Sequence, residues 1–87
     1  MYTIVYTKGA KADISKLRVV GLAVKAKALV ELIKKDPFHV PPRFEKLVGD
    51  LDGLYSRRIN IKHRLVYEVI EDVKTVKIIS MWSHYEF

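Results

Sequence analysis

The sequence predicts an α+β fold in which a helical hairpin packs on an antiparallel sheet, with elements in the order β-α-α-β-β-β. Three observations predict it. Residues 2–6 alternate between opposite faces of a strand, residues 8–35 carry apolar side chains at helical spacing, and three strand-like segments follow residue 53. We expect a single domain over residues 1–87, because 87 residues suffice for one modest core.

The helical hairpin is predicted from two amphipathic segments. In residues 8–20, Ile14 and Leu17 lie three positions apart, and Gly21 interrupts the pattern. Residues 22–35 form the second helix, which Asp36-Pro37 ends. Its apolar residues recur at helical spacing: Leu22, Ala26, Leu29, Leu32 and Ile33.

The remaining strands are predicted after an irregular segment. Residues 36–53 contain all three prolines and two of the four glycines, which indicates a loop, or a loop with a short strand. Strands are expected at residues 54–61, 64–70 and 75–82, with a tight turn near residues 71–74. This order leaves one face of the sheet uncovered by helices.

The composition favours a folded, basic protein. Sixteen Lys and Arg residues against ten Asp and Glu give a net charge of +6, which indicates either a polyanionic partner or a solvated basic surface. No apolar run approaches the ~20 residues of a membrane span, and no secretory signal is recognisable, so we expect a cytoplasmic protein without membrane contact. The absence of cysteine excludes disulfides and thiolate metal sites.

Strand alternation separates candidate site residues from core residues. In the strand at 64–70, Leu65, Tyr67 and Val69 suit the face toward the helices, which leaves Arg64 on the open face. Glu45 is the only acid between residues 38 and 46, and its spacing alone favours an exposed loop carboxylate paired with a lysine. His63 could be a solvated turn residue, and the arginines could line a solvated strand face.

These residue types point to metal-free acid/base chemistry rather than to a metal or cofactor site. The three histidines lack metal-ligand spacing, and we predict neither a metal nor a cofactor. One carboxylate, one histidine and several arginines suffice to cleave RNA, because the substrate supplies the 2′-OH nucleophile.

The run LDGLYSRRINIKHRLVYEV, together with the later His84-Tyr85, resembles the YoeB/Txe toxins of the RelE superfamily. The resemblance implies a RelE-like fold and a ribosome-dependent endoribonuclease that cuts mRNA in the A site of the 70S ribosome. It also implies an acidic, YefM-like antitoxin as a partner and contact with operator DNA only through the antitoxin complex. A homodimer is compatible with the resemblance.

Positions are carried over from the family motif. Glu45 matches the general base, Arg64 the arginine that stabilises the transition state, and His84 the general acid. Tyr85 matches a tyrosine that positions the mRNA base. The paired arginines of the S-R-R motif are expected to contact substrate or ribosomal RNA, and they fall on Arg57 and Arg58.

Three departures from the family pattern stand out. Val48 replaces a lysine that the family often has, so that a phosphate contact is either lost or made by Lys46. Trp82-Ser83 replaces an Arg-Tyr pair, and Glu86-Phe87 follows Tyr85.

A competing hypothesis is a non-cleaving RNA- or ribosome-binding protein, or a co-repressor that acts with an antitoxin. The joint presence of Glu45, Arg64 and His84 favours the enzyme.

Overall fold

The computed structural model describes residues 1–82 of the chain. Two helices, α1 (Lys8–Val19) and α2 (Ala23–Lys35), lie between the first and second strands of a five-stranded sheet. The strands are β1 (Thr3–Tyr6), β2 (Phe44–Lys46), β3 (Leu54–Arg58), β4 (Arg64–Ile70) and β5 (Thr75–Ser80). Within these 82 residues, no helix combines the length and apolar character that a membrane crossing needs.

The α+β fold class is confirmed, with two differences within the sheet. The irregular segment contributes a fifth strand, β2, which pairs with β3 at the sheet edge. The sheet order is β1-β5-β4-β3-β2, and β1 runs parallel to β5 whereas all other pairs are antiparallel. The meander of β2, β3, β4 and β5 places β5 beside β1, and these two strands have the same chain direction. The sheet is therefore mixed, whereas the sequence predicts an antiparallel sheet.

The helical hairpin forms where the sequence predicts it. The Thr7 side chain caps α1 by accepting a hydrogen bond from the Ala10 N–H at 3.0 Å. At the other end, the N–H groups of Gly21 and Leu22 donate to carbonyls of the last turn of α1, the pattern of a Schellman motif. Gly21 has a φ of 76°, which favours glycine, so that the break falls at this residue.

The core lies between the hairpin and one face of the sheet. It contains Leu17 of α1, Ile33 of α2 and Leu65, Tyr67 and Ile78 of the sheet, all fully buried or nearly so. As predicted, Leu65 and Tyr67 face the helices. The opposite face of the sheet carries no helix, and the candidate site lies there.

The last two strands depart from a strict two-residue alternation. Val66 pairs with Ser80, whereas Tyr67 pairs with Ile78, so Ile79 is an extra residue in β5. Such a bulge shifts the alternation of side chains by one position. β3 also ends at Arg58 rather than at residue 61, because the Asn60 side chain accepts hydrogen bonds from the N–H groups of Lys62 and His63 and closes a turn.

Candidate active site on the open face of the sheet

Three adjacent strands bring polar side chains together on the face away from the helices. Glu45 of β2 lies opposite Ser56 of β3, and Arg58 of β3 lies opposite Arg64 of β4. Because Ser56 and Arg58 are two residues apart, they share one face of β3. These side chains line a groove of about 390 Å³, formed by Pro42, Arg43, Glu45, Ser56, Arg58 and Arg64. We call it the open-face groove.

Glu45 and Arg64 form an ion pair within the open-face groove. The distance from Arg64 Nη1 to Glu45 Oε2 is 3.4 Å, and the Glu45 and Arg64 side chains are 36% and 16% exposed. A pair this accessible contributes little to stability, about 0–1 kcal/mol. Its solvent-facing carboxylate remains accessible to a ligand that enters the groove.

The groove is cationic, and its floor holds a buried hydroxyl. The groove residues include three cationic side chains and one carboxylate, namely Arg43, Arg58 and Arg64 and the carboxylate of Glu45. Ser56 Oγ is buried without a hydrogen-bond partner among residues 1–82. Sequence reasoning did not assign Ser56 or Arg43 to the site. The alternation of β3 could have indicated Ser56, whereas the approach of Arg43 depends on the path of the proline-rich loop.

Arg57 lies in the interior, unlike its neighbour Arg58. It is 1% exposed. Its Nε donates to the Tyr67 hydroxyl at 3.0 Å, Nη1 to the Pro42 carbonyl at 2.5 Å and Nη2 to the Pro37 carbonyl at 3.0 Å. The guanidinium also lies 5.1 Å from the centre of the Phe44 ring. All three guanidinium nitrogens are thus engaged inside the fold, and this geometry does not favour the predicted substrate contact by Arg57.

Lys46 does not join the groove either. It is adjacent to Glu45 in β2, so that strand alternation places it on the opposite face, and it is exposed there. The predicted phosphate contact by Lys46 thus lacks the geometry that Arg43 and Arg58 have. His84 and Tyr85, predicted as the general acid and a substrate-positioning residue, lie outside the described residues.

Burial shifts the acidity of one residue beside the site. The Tyr67 hydroxyl is buried, and this burial raises its pKa above the ordinary value of 10.0, although the Arg57 guanidinium opposes the shift. The neutral hydroxyl donates to the Pro37 carbonyl at 2.8 Å. Tyr67 and Arg57 together attach the proline-rich loop to the sheet behind Glu45.

His63 is better packed than a solvated turn residue. Its Nδ1 lies 3.0 Å from the Trp82 carbonyl oxygen, and its ring stacks on the Trp82 indole with 4.3 Å between centroids. Within residues 1–82, no group of three or more His, Cys, Asp or Glu side chains is placed to hold a metal ion.

A family model for the YoeB-like toxin of bacterial type II toxin–antitoxin systems matches residues 16–85. The chain belongs to this family. Among curated relatives, it is 41% identical over 58 residues to Toxin YoeB of Synechocystis sp., covering 67% of this chain and 65% of that protein. It is 48% identical over 44 residues to Toxin YoeB of Streptomyces coelicolor, covering 51% and 52%. The alignments thus span about one half to two thirds of these relatives.

Solved structures share the fold over nearly the full chain. The YoeB/ParE toxin from Agrobacterium tumefaciens has a TM-score of 0.86 at 29% identity, covering 95% of this chain and 99% of that one. A chain of the YoeB-YefM complex from Staphylococcus aureus has a TM-score of 0.80 at 32% identity, covering 98% and 99%. YafQ from Escherichia coli has a TM-score of 0.83 at 15% identity, covering 97% and 94%, and this likeness concerns the fold alone.

Proposed function

We propose that this YoeB-family protein is the toxin of a type II toxin–antitoxin system and an endoribonuclease that cleaves mRNA in the A site of the ribosome. The observation that carries the proposal is the Glu45–Arg64 pair at 3.4 Å inside a cationic groove. This pair combines a proton acceptor, the Glu45 carboxylate, with a positive charge, the Arg64 guanidinium, at a surface that attracts a polyanion.

The proposed reaction needs three residues and the substrate's own nucleophile. Glu45 takes the proton from the 2′-OH, and O2′ then attacks the phosphorus. Arg64 stabilises the negative charge of the pentacoordinate phosphorane. The bond from phosphorus to O5′ breaks, and O5′ receives a proton from His84. The products are a 2′,3′-cyclic phosphate on the upstream fragment and a 5′-hydroxyl on the downstream fragment.

Substrate binding is assigned to the cations that surround this pair. Arg58 and Arg43 line the open-face groove, and we assign to them the contacts to the backbone phosphates of the RNA. Tyr85 is proposed to position the mRNA base, as the family resemblance implies. Arg57 supports the groove from behind and makes no substrate contact.

The proposal includes an antitoxin partner. The relative from Staphylococcus aureus was solved as a YoeB-YefM complex. For this chain we propose a YefM-like antitoxin whose acidic segment lies across the open-face groove and blocks RNA by occupying the same cations. Operator DNA would then be contacted only through the antitoxin complex.

The reaction is tested by end-group analysis and two substitutions. With ribosome-bound mRNA under single-turnover conditions, Glu45→Gln should lower the cleavage rate by about 10²-fold or more, because the amide cannot accept the proton. His84→Gln should cause a comparable loss. Glu31→Gln is the matched control, since Glu31 is an exposed residue of α2 outside the open-face groove.

Two results would contradict the proposal. One is a 5′-phosphate on the downstream fragment, which would require a different nucleophile. The other is full activity in both Glu45→Gln and His84→Gln. Ribosome binding should persist in both variants, so that a loss of rate reports chemistry rather than association.

A further inference from the structure

Three separate elements hold the backbone where the chain leaves the sheet. The Thr7 hydroxyl donates to the Ile79 carbonyl at 2.8 Å. Asp13 Oδ2, on α1, accepts from the Met81 N–H at 3.0 Å. His63, in the turn before β4, lies 3.0 Å through Nδ1 from the Trp82 carbonyl and stacks on the indole. Two consecutive residues, Met81 and Trp82, are thus fixed through their backbone just beyond the end of β5.

Asp13 is an unusual residue for its position. It is 8% exposed, on the face of α1 that also buries Ala10 and Leu17. Burial of a carboxylate is costly unless hydrogen bonds or an opposite charge compensate it. The Met81 N–H supplies a hydrogen bond, and Lys16 Nζ lies 3.7 Å from the other carboxylate oxygen. An apolar residue would suit the packing, so the carboxylate is explained by the backbone group that it holds.

His63 has a defined chemical role at Trp82. A carbonyl oxygen only accepts hydrogen bonds, so Nδ1 must carry the proton and donate it. The ring also covers the indole, and Lys16 Nζ lies 6.0 Å from the centre of that indole. The hydrogen bond and the stacking together constrain both the backbone and the side chain of Trp82.

We infer that Asp13 and His63 are positioning residues for His84. This inference rests on the proposed function, in which His84 is the general acid. His84 follows Trp82 by two residues, and two residues of chain span at most about 7 Å. Holding residues 81 and 82 therefore fixes the point from which the two-residue connection to His84 starts. A displacement of about 1 Å in a catalytic group can cost about 10²-fold in rate.

The first experiment measures the backbone constraint without any substrate. Trp82 is the only tryptophan in the chain, so acrylamide quenching and anisotropy of its fluorescence report directly on this segment. Asp13→Ala and His63→Ala should raise the quenching constant and lower the anisotropy. Asp13→Asn, which keeps an acceptor oxygen for the Met81 N–H, should stay close to the original protein. Unchanged fluorescence in both alanine variants would overturn the inference.

The second experiment asks whether the constraint acts through His84. Single-turnover cleavage of ribosome-bound mRNA should fall about 10-fold to 10²-fold in Asp13→Ala and in His63→Ala. The same substitutions should have little further effect in a His84→Ala background, because coupled residues are not additive. Asp13→Asn should restore most of the rate.

Leu17→Ala is the matched control, since it weakens the same buried face of α1 without contacting Met81 or Trp82 through a hydrogen bond. Any loss of rate that it causes by lowering the folded fraction should be equal in both backgrounds. Equal losses for Asp13→Ala and His63→Ala in the two backgrounds would overturn the positioning role. If instead Glu45→Gln and His84→Ala leave cleavage intact, the proposed function fails, and the fluorescence result still stands by itself.

Discussion

Arg57 and Arg58 occupy opposite faces of β3, and their surroundings differ accordingly. Arg57 points to the helix side, where its guanidinium donates to the Tyr67 hydroxyl and to two proline carbonyls. Arg58 lines the open-face groove. Because buried acceptors that lose their donors are costly, the two arginines should respond differently to truncation.

Arg57→Ala should lower the free energy of unfolding by about 3 kcal/mol, since it leaves the Pro42 carbonyl and the Tyr67 hydroxyl without this donor. Arg58→Ala should change it by about 0.5 kcal/mol or less, as is usual for surface residues. Urea denaturation followed by circular dichroism measures both. Arg57→Lys separates charge from geometry, because one ammonium cannot reproduce the planar fork. Equal stabilities of the two alanine variants would contradict this division.

The residue pair also shows what sequence could predict about the site. Glu45, Arg64 and Arg58 follow from the family motif and meet on one face, as strand alternation allows. The motif treats Arg57 and Arg58 as one unit, although consecutive residues of a strand must point to opposite faces. The alternation of side chains along the strand is sufficient to predict that Arg57 and Arg58 have different surroundings. The role of Asp13 could not be predicted, because its partner is a backbone N–H that lies 68 residues away in the sequence.

At the scale of elements, Tyr67 joins β4 to the loop that precedes β2. Its hydroxyl accepts from Arg57 and donates to the Pro37 carbonyl at 2.8 Å. Burial raises its pKa above 10.0 in the folded protein. A raised pKa means that the folded state holds this proton more tightly than the unfolded chain does. The resulting stabilisation is fully present below pH ~10 and is lost as the pH rises toward the folded pKa.

We therefore expect the stability advantage of the original protein over Tyr67→Phe to be constant from pH 7 to 9 and to shrink above pH 10. The slope of this loss is at most about 1.36 kcal/mol per pH unit for one proton. Because both proteins contain the same lysines, the effect of lysine titration on stability cancels when their free energies of unfolding are subtracted at each pH. Urea midpoints at closely spaced pH values provide the measurement. A difference that stays constant through pH 11 would show that Tyr67 does not titrate differently in the two states.

The elements themselves were largely predictable, whereas their register was not. Apolar spacing and the breaks at Gly21 and Asp36 located both helices to within one residue at each end. The strand at 64–70 was also predicted at its observed bounds. The bulge at Ile79 and the short strand β2 depend on pairing between distant segments, which a local pattern does not contain. The sequence therefore does not decide whether the segment that carries Glu45 forms a loop or a strand.

At the scale of the whole molecule, the positive charge is divided between two layers. The helices carry lysines on one side of the sheet, for example Lys25, which is exposed on α2. The open-face groove carries Arg43, Arg58 and Arg64 on the other side. A net charge of +6 attracts a polyanion to the protein as a whole, but only cations that touch phosphates release counterions on binding. The salt dependence of binding can therefore test which layer contacts the proposed RNA substrate.

We expect Arg58→Ala to weaken binding to mRNA-programmed ribosomes and to reduce the slope of log K against log salt by about 0.7, the value for one single-strand phosphate contact. Lys25→Ala removes the same charge from the helical layer and should leave the slope unchanged, with only a small loss of affinity. A 2′-O-methyl group at the cleavage site blocks the nucleophile, so that binding is measured without cleavage, and magnesium is held constant while monovalent salt varies. If Lys25→Ala lowers the slope as much as Arg58→Ala does, the RNA contacts both layers, and the open-face groove is not its specific binding surface.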